Sequence, residues 1–141
     1  MSDTRQRQLA NTALAGPYRL PPGREAELVD AAQALGWPVT CHRPADAANT
    51  SAWLTALGQA LGLPAHFGAN FDALYDCLTD PELLGEPGRL LILGNVAPLG
   101  EAVDILIAVL QAASDAWRDQ GRALWALLDA PDLELDPLPG A

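Results

Sequence analysis

Lysine is absent from this chain, and all 8 of its basic residues are arginine. Against them stand 18 acidic residues, for a formal net charge of -10. Such a surface repels a nucleic acid backbone, so direct binding of RNA or DNA is not expected. Cysteine is scarce too. Cys41 and Cys77 are the only two, they form no C-x-x-C pair, and both are expected as buried, reduced thiols. No uninterrupted apolar run approaches the roughly 18 residues of a membrane span, and no charged-then-apolar leader opens the sequence. The expectation is a cytoplasmic protein that engages no membrane.

Of the 141 residues, 50% are hydrophobic and 18% charged, which predicts a globular fold of one domain, residues 1–141, with a real core. Met1 to Ala10 is polar, lacks a period and reads as a loose tail. Tyr18 to Leu20, between Gly16-Pro17 and Pro21-Pro22-Gly23, reads as a short strand. Arg24 to Leu35 carries a stripe of Leu28, Val29, Ala32 and Leu35 and stops at Gly36, so a helix is expected. Trp37 to His42 reads as a strand, with Pro38 marking either an edge strand or the first residues of the strand. Thr50 or Ser51 is positioned to cap a helix that ends at Gly62. Pro81 to Gly88 is a loop with room for a helical turn at Glu82 to Leu84. Arg89 to Leu93 and Arg122 to Leu128 are apolar runs that read as strands buried on both faces. Between them, Glu101 to Gln120 is the longest helix, with Val103, Leu106, Ile107, Leu110, Ala113 and Trp117 inward. Pro131 to Ala141 reads as a loosely attached tail. All four tryptophans (Trp37, Trp53, Trp117 and Trp125) are expected in the core. Strands separated by helices predict a small parallel sheet with right-handed crossovers.

The chain is organised around Leu63 to Leu78, LPAHFGANFDALYDCL. With Asn70 as a cap, Phe71, Leu74 and Leu78 share one helical face and, with Cys77, are assigned to the core. Asp72, Tyr75, Asp76 and Thr79 share another face. Asp72 has a local reason to be there, since a first-turn carboxylate meets unpaired N–H groups and the helix dipole. Asp76 by itself is an ordinary solvated acid, so spacing leaves open whether this face is merely wet or docks a partner. The charge distribution bears on this. Between Arg43 and Arg89 there is no Lys or Arg, yet Asp46, Asp72, Asp76, Asp80, Glu82 and Glu86 all lie there. A docking face for a cationic protein has that pattern, and solubility alone also accounts for it.

The run LP-x-x-[aromatic]-G-x-N-x-D-A-L-x-D-C-L resembles the signature segment of the barstar family, intracellular inhibitors of secreted bacterial ribonucleases. Leu63, Pro64, Gly68, Asn70, Asp72, Ala73, Leu74, Asp76, Cys77 and Leu78 agree with it. Outside Leu63 to Thr79 the resemblance rests on the order of elements. It implies an α/β, barstar-like fold: a small parallel β-sheet of three strands packed with helices. Residues 1–36 form an N-terminal extension able to supply a fourth strand, and residues 131–141 form a C-terminal tail. It also implies a binding function. Asp72 and Asp76 are the charged anchors, with Asp76 in the place of a substrate phosphate among the partner's cationic groups. Tyr75 stands where the family often has tryptophan, and His66 where an aromatic ring stacks on the partner. Gly68 lets the loop backbone approach, Asn70 caps the helix or reaches across, and Asp80 lies on the far rim. His66-Phe67 replaces two tyrosines, Asp80-Pro81 replaces a Gly-Trp pair, and Asp115 sits one place out of register from a further family acid.

The implied partner is a basic ribonuclease, or else a different toxin nuclease or a regulatory protein, with this chain a monomer when free. An enzyme would have to use His66, Asp72 and Asp76 as hard metal ligands or an acid–base set. The sequence has no paired-His motif, no phosphate-binding glycine loop and no G-x-S-x-G. No catalytic residue, metal or cofactor is expected.

Overall fold

In the computed structural model, which describes residues 2–64, 68–81 and 87–139, the two apolar runs form the middle of a sheet. β3 (Gly88–Gly94) is buried along its whole length, and β4 (Ala123–Asp129) up to its last residue. They pair in parallel. β2 (Val39–His42) adds beside β3, and β1 (Pro17–Arg19) adds beside β4, again in parallel. The order is β1-β4-β3-β2, so the N-terminal segment does supply a fourth strand. Pro38 immediately precedes edge strand β2, where a missing N–H interrupts no central ladder.

The helices are α1 (Ser2–Ala10), α2 (Glu25–Ala34), α3 (Thr50–Leu61), α4 (Phe71–Leu78) and α5 (Val103–Asp119). The cap of α3 is Asn49, one place before Thr50 and two before Ser51, the expected candidates; its side chain accepts from the Ala52 N–H at 2.9 Å. The expected turn at Glu82 to Leu84 lies outside the described residues.

The strand order dictates where the helices go. From β1 the chain crosses the whole sheet to β2, then returns stepwise through β3 to β4. Crossovers of one hand that run in opposite directions must place their helices on opposite faces. Accordingly, Leu28, Ala31 and Ala32 of α2 pack with Leu90, Ile92, Trp125 and Leu127 on one side. The residues of α3, α4 and α5 pack with Leu91, Leu93, Leu124, Ala126 and Leu128 on the other. β3 and β4 feed both cores because successive strand residues point to opposite faces.

Three tryptophans are buried as expected, and each has its one polar group satisfied at the end of another element. The Trp125 indole donates to the Leu9 carbonyl at 2.8 Å, Trp53 to Gly94 at 3.3 Å, and Trp117 to Leu78 at 2.7 Å. Trp37 is only half-buried. Its ring lies over Gly88, where an added Cβ would come within 2.1 Å of it, so the β3 start has room for glycine alone.

Several expectations are corrected. Residues 2–10 are a helix, not a loose tail. Leu9 is fully buried and Arg5 bridges to Glu27 of α2. The C-terminal segment is pinned as well: Leu138 is buried, and the Arg19 N–H donates to the Asp136 carbonyl at 2.8 Å. Cys41 is exposed on the edge strand and Cys77 is half-buried; both are free. Ala97–Asp119 is, by length and composition, apolar enough to cross a membrane. In this fold it is a short 3-10 turn followed by α5, whose Leu106, Leu110, Ala113 and Trp117 lie against the sheet.

Candidate functional site

The organising helix begins where its sequence says it should. Asn70 is extended (φ -133°, ψ 169°), and its side-chain oxygen accepts from the Ala73 N–H at 2.8 Å. The other end of that amide folds back on the chain, donating to the Gly68 carbonyl at 3.4 Å. A Cβ on Gly68 would sit 3.1 Å from the Asn70 nitrogen, so the glycine has a local packing role. Ala69 between them takes a positive φ of 51°. These two hydrogen bonds tie the lead-in to the first turn of α4.

Leu74 and Leu78 are fully buried, as assigned. Phe71 and Cys77, assigned with them to the core, are only half-buried. Phe71 lines an open cleft beside α4, and Cys77 sits next to the buried Leu74 and Leu78 and not between them and the sheet. Burial pushes the Cys77 thiol up from its usual range, and the carboxylates of Asp76 and Asp80 add to that. It is therefore held as the neutral thiol.

Asp72 and Asp76 are both exposed, one turn apart, and neither forms an ion pair with a described residue. Tyr75 is half-buried between them and the core. With Phe71, these three line one wall of an open cleft of about 500 Å³, and α5 forms the other wall. Asp80 is not brought to that cleft. It lies past the Thr79 cap, half-buried, in a small depression with Trp117, Gln120 and Arg122. His66 lies outside the described residues. Asp115 is committed to its own helix. Hydrogen bonds from Arg118, at 2.7 Å, and then from Gln111 hold its carboxyl below the usual range.

What sequence reasoning missed is the α5 wall, formed by Ile105, Ala108, Val109 and Ala112. The signal was present: α5 has more apolar residues than its inward stripe needs. A larger hollow of about 560 Å³ lies at the carboxyl ends of β1 and β4. Its carboxylates, Glu25 and Asp129, are both held by Arg43, so they are structural. Among the described residues, no group of three or more His, Cys, Asp or Glu side chains is placed to hold a metal ion.

Residues 40–129 match the family described as Barstar (barnase inhibitor). The chain belongs to the barstar family. The barstar match runs from β2 to the end of β4 and contains α4 and its lead-in, while α1, β1 and α2 lie outside it. The parallel α/β architecture is the one expected of a barstar-like protein. A search of curated proteins finds no match.

Proposed function

We propose that this chain is an immunity- or antitoxin-type inhibitor that blocks the active site of a basic ribonuclease with α4 and the loop before it. The observation that supports this best is the exposed, unbridged pair Asp72 and Asp76 on a capped helix, within a segment that has no Lys or Arg between Arg43 and Arg89. A ribonuclease site gathers Arg, Lys and His to hold phosphate. A carboxylate fixed on a rigid helix can accept charge-assisted hydrogen bonds from such groups. Because α4 is already ordered, little is lost in ordering it on contact. Asp76 takes the place of the phosphate, Asp72 supports it, and Tyr75 packs beside them. We place this activity in the cytoplasm, in a protein that is a monomer when free.

A second reading keeps the face and changes the target to a different toxin nuclease or a regulatory protein. Asp80 and Pro81 favour it. They put an acid and a proline on the far rim, in the same small depression as Arg122, a rim unlike that of the family pattern. Titration of the purified protein into a panel of secreted basic ribonucleases, scored by RNA cleavage, tests the main reading. Inhibition saturating at one inhibitor per enzyme is expected. Full cleavage by every enzyme at stoichiometric inhibitor would overturn it.

A further inference from the structure

One side of α5 is apolar where it should be polar. Its inward stripe is already filled by Leu106, Leu110, Ala113 and Trp117. Beside that stripe, Ile105, Ala108, Val109 and Ala112 recur at helical spacing toward α4 and line the cleft opposite Phe71 and Tyr75. Ile105 is 51% exposed and is the only large hydrophobic side chain exposed among the described residues. A lone exposed apolar residue needs no explanation, but one that opens a continuous apolar cleft does. The edge of the same cleft is formed by Asp72 and Asp76. An apolar floor with two carboxylates at its rim and no cation matches one kind of surface: a ridge where a large apolar side chain stands beside Arg or Lys.

We propose that a basic protein partner seats an apolar side chain in the α4–α5 cleft while its flanking cations reach Asp72 and Asp76. This rests on the inhibitor reading and adds a second contact to it, on the first half of α5. The two parts divide the work. Charge at the rim speeds the partner's arrival, and apolar burial on the floor, together with the hydrogen bonds to Asp76, slows its departure.

That division supplies the test. The full chain, Ile105→Ala, Ala108→Glu and Asp72→Asn are each measured by rapid-mixing kinetics against a barnase-type ribonuclease that the parent chain inhibits. Residues 105 and 108 are exposed, so the fold should hold, and an unchanged melting curve checks this. Ile105→Ala is expected to raise the dissociation rate about tenfold with the association rate within about twofold. Ala108→Glu should raise it further, while Asp72→Asn should chiefly slow association. Unchanged dissociation in both cleft variants would remove the α5 contact and leave the inhibitor reading standing. If the parent chain inhibits no enzyme of the panel, both fall together. A parent dimer that Ile105→Ala converts to monomer, with inhibition intact, would assign the cleft to a second copy and overturn the proposal.

Discussion

The indole N–H of Trp117 donates to the backbone carbonyl of Leu78 across 2.7 Å. The last carbonyls of a helix have no partner within it, so this bond closes the end of α4 with a side chain from α5. Trp117→Phe keeps the ring's packing and removes the donor, leaving a buried acceptor unsatisfied. A loss of about 1–3 kcal/mol in urea unfolding is expected, with faster amide exchange concentrated in α4. Exchange that rises evenly across the fold would show that the bond does not hold α4 in particular.

Asp76→Ala is expected to weaken partner binding at least about thirtyfold, and Asp46→Ala less than about threefold. Truncation of a barstar aspartate is already a known example of such a large effect, so the direction for Asp76 is inherited from the family. The contrast with Asp46 is this chain's own. Both residues are exposed, but Asp46 lies on the loop before α3, away from the cleft. Equal losses by calorimetry would point to diffuse attraction in place of a defined contact.

A chain of net charge -10 approaching a basic enzyme should be steered. The association rate should fall by about tenfold or more between roughly 0.05 and 0.5 M salt, with the dissociation rate changing far less. A flat rate in stopped-flow experiments would remove steering from the account.

His42 ends the edge strand in a buried site, edge-on to Trp53, with its Nε2 3.3 Å from the Trp53 carbonyl. Burial pulls its pKa below the ordinary value of 6.5, and the Trp53 carbonyl opposes this only in part. Below that value the unfolded chain binds the proton more readily than the folded one. Stability is therefore full above about pH 6.5 and declines as pH falls toward the lowered folded value, by up to about 1.4 kcal/mol per unit. His42→Gln should flatten this part of the pH profile in urea melts. An unchanged slope would place the acid sensitivity elsewhere.

Leu9 packs fully buried beneath Trp125, whose indole holds the end of α1. Leu9→Ala is expected to cost about 2–5 kcal/mol in chemical denaturation. A cost within error would return the first ten residues to the status of a tail.

That helix is also the clearest case of what the sequence conceals. SDTRQRQLA has one large apolar residue, so no stripe betrays it; Trp125 and Glu27, distant in the chain, hold it in place. Leu138 is hidden for the same reason, being one anchor in an acidic, proline-rich run. By contrast, RLLIL and RALWALL declare themselves because a strand covered on both faces has no polar alternate positions. The α4 face was legible because Asn70, Leu74 and Leu78 set its start and its roll, which leaves Asp72 and Asp76 only one direction to point. Its α5 wall was legible only as a surplus of apolar residues, since periodicity marks which side of a helix is apolar and not which neighbour leaves a gap beside it.

The alternation of β3 and β4 between two separate cores has an evolutionary reading. Leu91, Leu93, Leu124, Ala126 and Leu128 serve the side that carries the acidic helix, while Leu90, Ile92, Trp125 and Leu127 serve the side under α1 and α2. The sheet is thus a partition wall between two compartments that share a backbone and almost no side chains. Mutations that rebuild the rear compartment can accumulate without disturbing the front one. An N-terminal annex can in this way be altered while the packing beneath the acidic helix stays as it is.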